Sequence, residues 1–89
     1  MRQMNKVKFS GKIENVLDFK DYFYVTLKEN GATFELKINK DTKDLDLFAS
    51  MKVGMILSVN GELEPVTILH SSLLYHVKVN RISALFYPG

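Results

Sequence analysis

Tyr22 and Tyr24 stand two residues apart in a run, Tyr22 to Lys28, that alternates apolar and polar side chains. In an extended strand such a pair shares one face and lies about 7 Å apart, at a rise of ~3.4 Å per residue. Two phenol rings at that spacing can receive flat, unpaired π systems by stacking, a contact worth about 1–3 kcal/mol per base and tolerant of base identity. The same face continues with Thr26 and Lys28, and the returning run adds Thr33 and Lys37. Lys8 and Lys12 lie on the preceding polar positions and could follow phosphates, and Phe19 supplies a ring in the intervening loop. Glu35 sits among these residues and would repel phosphate, marking an edge of any such groove. Tyrosine is also a good strand former that covers half-buried sheet faces, so plain packing is the alternative reading of the pair.

Other chemistry finds little footing. His70 and His76 are the only histidines, six residues apart with no convincing third ligand nearby, and cysteine is absent. No zinc site or thiol chemistry is expected from that set. No Ser/His/Asp or Cys/His arrangement can be assembled. Gly54 and Gly61 stand apart, so no phosphate-cradling glycine loop forms. Asp41, Asp44 and Asp46 read as the cap and solvated face of a short helix. The expectation is a binding protein without metal, cofactor or enzymatic activity.

The elements that must position these residues are mostly strands, because the hydrophobic period is two. Val7, Phe9, Gly11 and Ile13 alternate with Lys6, Lys8, Ser10, Lys12 and Glu14, and Gly11 predicts a bulge or sharp coil of this first strand. After a polar loop at 18–21, Phe23, Val25 and Leu27 face inward. Asn30-Gly31 then predicts a type I′ hairpin, whose two central residues need positive φ. The return places Phe34, Leu36 and Ile38 inward. Residues 41–51 break the alternation: Asp41 or Thr42 can cap a helix with Leu45, Phe48 and Met51 on one stripe, ended by Gly54. Met55, Leu57, Val59, Gly61 and Leu63 form the inward set of strand four, and Pro65 is expected to stop its pairing, with 66–74 a loop or a hairpin extension. A last strand begins near Tyr75 with Val77 and Val79 inward, then Ile82 and Leu85 after a change of phase.

Five short strands cannot hide their apolar faces unless the sheet closes or stacks. The pattern therefore predicts one domain, 1–89 with its core at about 6–86. Its fold class is all-β: a five-stranded Greek-key barrel with one short helix between strands three and four, plugging its open end. The chain has 89 residues, 46% hydrophobic and 25% charged, enough for a single core. Net charge is only +2, but residues 1–12 carry four bases and no acid. A local basic strip can track phosphates although the whole is nearly neutral. No secretory leader is visible and no run approaches the ~20 apolar residues of a membrane span, so a cytoplasmic location without membrane attachment is expected. Residues 66–74, with Val66, Ile68, Leu69, Leu73 and Leu74, are too apolar for a solvated loop, and Phe86 and Tyr87 share that character. Burial against the barrel or against a second copy would cover them, so a homo-oligomer, a homodimer in particular, is expected.

At this point the chain resembles an OB-fold, and within it the bacterial single-stranded DNA-binding proteins and primosomal protein B. The carriers are Val7-Lys8-Phe9-Ser10-Gly11-Lys12-Ile13, the Tyr22-to-Ile38 hairpin, the stretch from Met51 to Leu63 with Gly54 and Gly61-Glu62-Leu63, and Val77-Lys78-Val79-Asn80-Arg81-Ile82. The chain departs from those DNA-binding proteins in ending Ala84-Leu85-Phe86-Tyr87-Pro88-Gly89, apolar and without their acidic tip, and in lacking tryptophan. Primosomal protein B, a compact OB dimer without a tail, is the closer analogy in build. The resemblance implies binding on the outer face of strands two and three and the flanking loops. The implied partner is single-stranded DNA, ahead of RNA, in replication, recombination or mobile-element maintenance, with another replication protein as a further candidate partner. The competing expectation is an adaptor subunit whose face binds a protein.

Overall fold

The computed structural model describes residues 6–42, 50–67 and 73–88. Five strands occupy most of them: β1 (Lys6–Asp18), β2 (Tyr22–Glu29), β3 (Ala32–Asn39), β4 (Ile56–Thr67) and β5 (Leu73–Phe86). They close into a barrel in the order β1-β2-β3-β5-β4, with β3 and β5 parallel and the other neighbours antiparallel. The expected helix over 41–51 falls mainly on residues 43–49, outside the described residues.

Closure depends on β1 serving two neighbours. Its first half, Lys6 to Lys12, pairs with β4, and its second half, Lys12 to Asp18, pairs with β2. Gly11 sits where this changeover occurs. A Cβ there would stand 2.9 Å from the Lys28 carbonyl oxygen and 3.3 Å from Leu27 Cβ, so glycine permits the close approach of β2. The expected bulge is displaced from Gly11: the register slips between Ile13 and Asn15 instead. The extra residue, Glu14, shifts the inward phase from Ile13 to Val16, which packs against the core. Ile13 is then bonded on its other edge as well, donating to Met55 O at 2.8 Å and accepting from Gly54 N at 2.9 Å. Gly54 holds φ +97° in the turn closed by Met55 N to Lys52 O, a backbone region that side chains resist.

The hairpin forms as the sequence predicts. Asn30 and Gly31 take φ of 53° and 82°, and Tyr22↔Asn39 through Glu29↔Ala32 pair without a slip. The core is the inward parity: Ile13, Val25, Leu27, Leu36, Ile38, Leu57 and Val59 are fully buried, with Met51, Met55, Val77, Val79 and Ile82 nearly so. The change of phase in β5 comes from two further slips, opposite Ser58/Val59 and Asn60/Gly61.

Two expectations on β4 are corrected. Pro65 does not end the pairing: the ladder continues Pro65↔Tyr75, Val66↔Leu74 and Thr67↔Leu73. β1 accompanies β4 only from Ile56 to Glu62, so beyond that point β4 is an edge on one side among the described residues. A proline lacking its N–H is tolerated there. Leu63 was expected inward, yet it is 37% exposed, because β4 has by then run past the closed part of the barrel. Residues 68–72 of the apolar segment lie outside the described residues.

Candidate nucleic-acid interface

The outward parity of β2 and β3 builds a shallow cleft of about 340 Å³ lined by Phe19, Tyr22, Tyr24, Lys37 and His76. Phe19 is placed by the turn between β1 and β2, where its N–H donates to Tyr22 O and Lys40 N–H donates to Asp21 O, both at 2.9 Å. Lys40 also clamps this corner through Asp18 at 2.6 Å, with its ammonium 4.7 Å from the Phe23 ring centroid. The Phe19 ring, 45% exposed, then lies 5.0 Å from Tyr22 at 32°. Lys37 Nζ sits 4.9 Å from the Tyr22 centroid, a cation held over a π face.

Tyr24 is held differently. Its hydroxyl lies 3.1 Å from His76 Nδ1, and His76 Nε2 lies 2.7 Å from Glu64 Oε1. With Nε2–H donating to the carboxylate, Nδ1 is the acceptor for the phenol. The two rings meet edge to face, 5.6 Å apart. Burial, reinforced by the Glu35 charge, raises the Tyr24 phenol above its ordinary value. The His76 hydrogen bond holds the Glu64 carboxyl below the usual glutamate range, against a smaller opposing effect of burial. From the sequence His76 has no expected part in this site, yet its side chain is only 10% exposed and joins two strands here. The available signal was its place beside Val77 on the outward parity of β5.

Among the residues singled out in the sequence, the fold gathers Phe19, Tyr22, Tyr24 and Lys37 around one cleft. Thr26, Lys28 and Thr33 continue the same face toward the hairpin turn. Thr26 donates to Glu35 at 3.0 Å, and Lys28 lies 3.8 Å from Glu14. Lys12 is opposite Lys28 on β1, at the far end of that face. Lys8 is not brought to the tyrosines: its stretch of β1 pairs with Asn60 on β4, and it lines a different cleft with Lys6 and Arg81.

The arrangement offers two neighbouring tilted rings, Tyr22 half-buried and Phe19 exposed, with the Lys37 ammonium over Tyr22. Such a surface accepts planar, anion-linked ligands by stacking and charge. No family model and no curated protein sequence matches the chain. Solved structures are similar to it over most of its length, among them these two. One is a mitochondrial single-stranded DNA-binding protein of S. cerevisiae, with a TM-score of 0.71 and 10% identity over 98% of this chain and 99% of that one. The other is an OBody bound to hen egg-white lysozyme, with a TM-score of 0.70 and 16% identity over 88% of this chain and 90% of that one. What this chain shares with both is the five-stranded OB barrel.

Proposed function

We propose that this chain is a sequence-tolerant single-stranded DNA-binding protein acting in replication, recombination or mobile-element maintenance, by binding rather than by catalysis. The observation that carries this reading is the cleft in which Phe19 and Tyr22 stack beside Lys37, with Tyr24 fixed next to them. Bases would stack on Phe19 and Tyr22, and Lys37 would leave the Tyr22 face to meet a phosphate. The likeness in fold to a yeast mitochondrial single-stranded DNA-binding protein supports it. Fluorescence anisotropy with oligo-dT, single-stranded RNA and duplex DNA at two salt concentrations tests it. The expected order is single-stranded DNA, then RNA, then duplex, with affinity falling as salt rises. A folded Tyr22→Ala/Tyr24→Ala variant should lose about 5- to 150-fold for each base stacked; unchanged affinity refutes the stacking site.

A second reading, an adaptor or self-associating subunit, is favoured by Phe86 and Tyr87, which are 50% and 61% exposed at the end of β5. An OB barrel bound to lysozyme gives the fold a protein-binding precedent. Light scattering at tens of micromolar should return a dimer mass if these rings join two copies; a monomer removes that part of the reading.

A further inference from the structure

We propose that a second site for the phosphodiester backbone lies outside the tyrosine face, on the sheet formed by β4, β5 and the first half of β1, and that a bound strand reaches it by passing around the barrel. A cleft of about 530 Å³ opens there, lined among others by Lys6, Lys8, Asn60, Asn80 and Arg81. Three cationic side chains and two carboxamides suit phosphate oxygens. The β5 slip opposite Asn60/Gly61 leaves Asn80 as the additional residue, exposed beside Arg81.

The register connects the two sites. Tyr24 is opposite Lys37, Lys37 is opposite Lys78 on β5, Lys78 is opposite Glu62 on β4, and Glu62 is opposite Lys6 on β1. These residues form one lateral row around the barrel. Three interstrand spacings separate Lys37 from Lys6, about 14 Å in all. Arg81, Asn60 and Lys8 form a parallel row, two residues further along β1 and β4. Glu62 interrupts the first row, but it lies between Lys6 and Lys78, whose charges compensate it. Lys6 and Lys8 of the basic first strand therefore serve this second face, whereas Lys12 stands at the far end of the tyrosine face.

The inference rests on the single-stranded DNA reading, and oligomer length separates the two. Wild type and Lys6→Gln/Lys8→Gln are titrated with dT oligomers of about 3 and about 20 nucleotides, below and above the ~4–16-nucleotide site size of one such barrel; the shorter is too short to stack on the tyrosine face and also span the ~14 Å to Lys6. For the long oligomer, loss of two phosphate contacts lowers the slope of log affinity against log salt by about 1.4. Wild type then loses about sevenfold more affinity than the variant between ~50 and ~200 mM salt. The short oligomer binds both proteins alike. Equal slopes for the long oligomer overturn the second site while leaving the tyrosine site intact. An equal change for both oligomers also overturns it, since the lysines would then belong to the first site. No binding of either oligomer to wild type removes the parent reading and this one together.

Discussion

The Tyr24 hydroxyl and His76 Nδ1 lie 3.1 Å apart, although β3 runs between their strands. The contact is possible because β3 and β5 are parallel with Lys37 opposite Lys78, which brings His76 level with the outward row of the hairpin. With Glu64 bonded to the far side of the imidazole, side chains link β2 to the paired strands β5 and β4 across β3. The tie fixes the Tyr24 ring at the edge of the cleft, whereas Tyr22 meets Phe19 and Lys37.

A double-mutant cycle on Tyr24→Phe and His76→Ala measures this tie. A net hydrogen bond of this kind is worth about 1 kcal/mol. Each single variant should lower the urea-derived stability, and the double variant should lose about 1 kcal/mol less than the sum. Strict additivity would show that the bond contributes nothing in solution.

Glu64 makes the tie sensitive to acid. Its carboxyl is held below the ordinary glutamate value of 4.5, chiefly by the His76 hydrogen bond. A depressed folded-state value means the ionised form is favoured by folding. That contribution is complete above 4.5 and disappears as pH falls through the lower folded-state value. Urea unfolding at neutral pH and near pH 3 should show a smaller acid loss in Glu64→Gln than in wild type. An identical loss in both proteins would place the acid sensitivity elsewhere.

Most of the barrel is legible from parity alone. Val25, Leu27, Leu36, Ile38, Leu57 and Val59 are buried where period-two reading puts them, and Asn30-Gly31 forms the turn that its positive φ values require. Reading fails where the phase is changed by a residue with no compositional mark. Glu14 looks like any solvated strand residue, yet the slip beside it turns Val16 inward. Long-range pairing is equally invisible. Lys8 shares a strand with the residues facing β2, but the changeover at Lys12 assigns it to β4 and to another surface. His76 meets a tyrosine 52 residues away only because the sheet closes.

Gly61 tests that closure directly. A Cβ at this position would collide with the Lys78 carbonyl oxygen and stand 2.7 Å from Val77 Cγ1. Backbone cannot yield as a flexible side chain can, so β4 and β5 must separate locally. Gly61→Ala should cost about 1–3 kcal/mol, the range of overpacked sites, read as a fall in urea midpoint at constant slope. Gly31→Ala is the control for a different cause: its Cβ meets open space, but φ of +82° is unfavourable for alanine. The two losses should be separable, because Gly31→Asn tolerates positive φ and restores much of the second, while no side chain restores the first.

Glu35 opposes the proposed ligand and gives the last prediction. It is exposed, accepts a hydrogen bond from Thr26 and acts through its charge on the Tyr24 phenol, so it lies within electrostatic reach of the cleft. A phosphate bound beside Lys37 would feel its negative charge. At a separation of ~8 Å in a water-like dielectric that repulsion is about 0.5 kcal/mol, or roughly twofold in affinity. Glu35→Gln keeps an acceptor for Thr26 and removes the charge. Oligo-dT should therefore bind the variant about twice as tightly at low salt, and the advantage should fade once screening shortens the Debye length to ~3 Å near 1 M salt. A variant that gains nothing at low salt would mean that phosphates pass on the Phe19 side of the cleft, beyond the reach of Glu35.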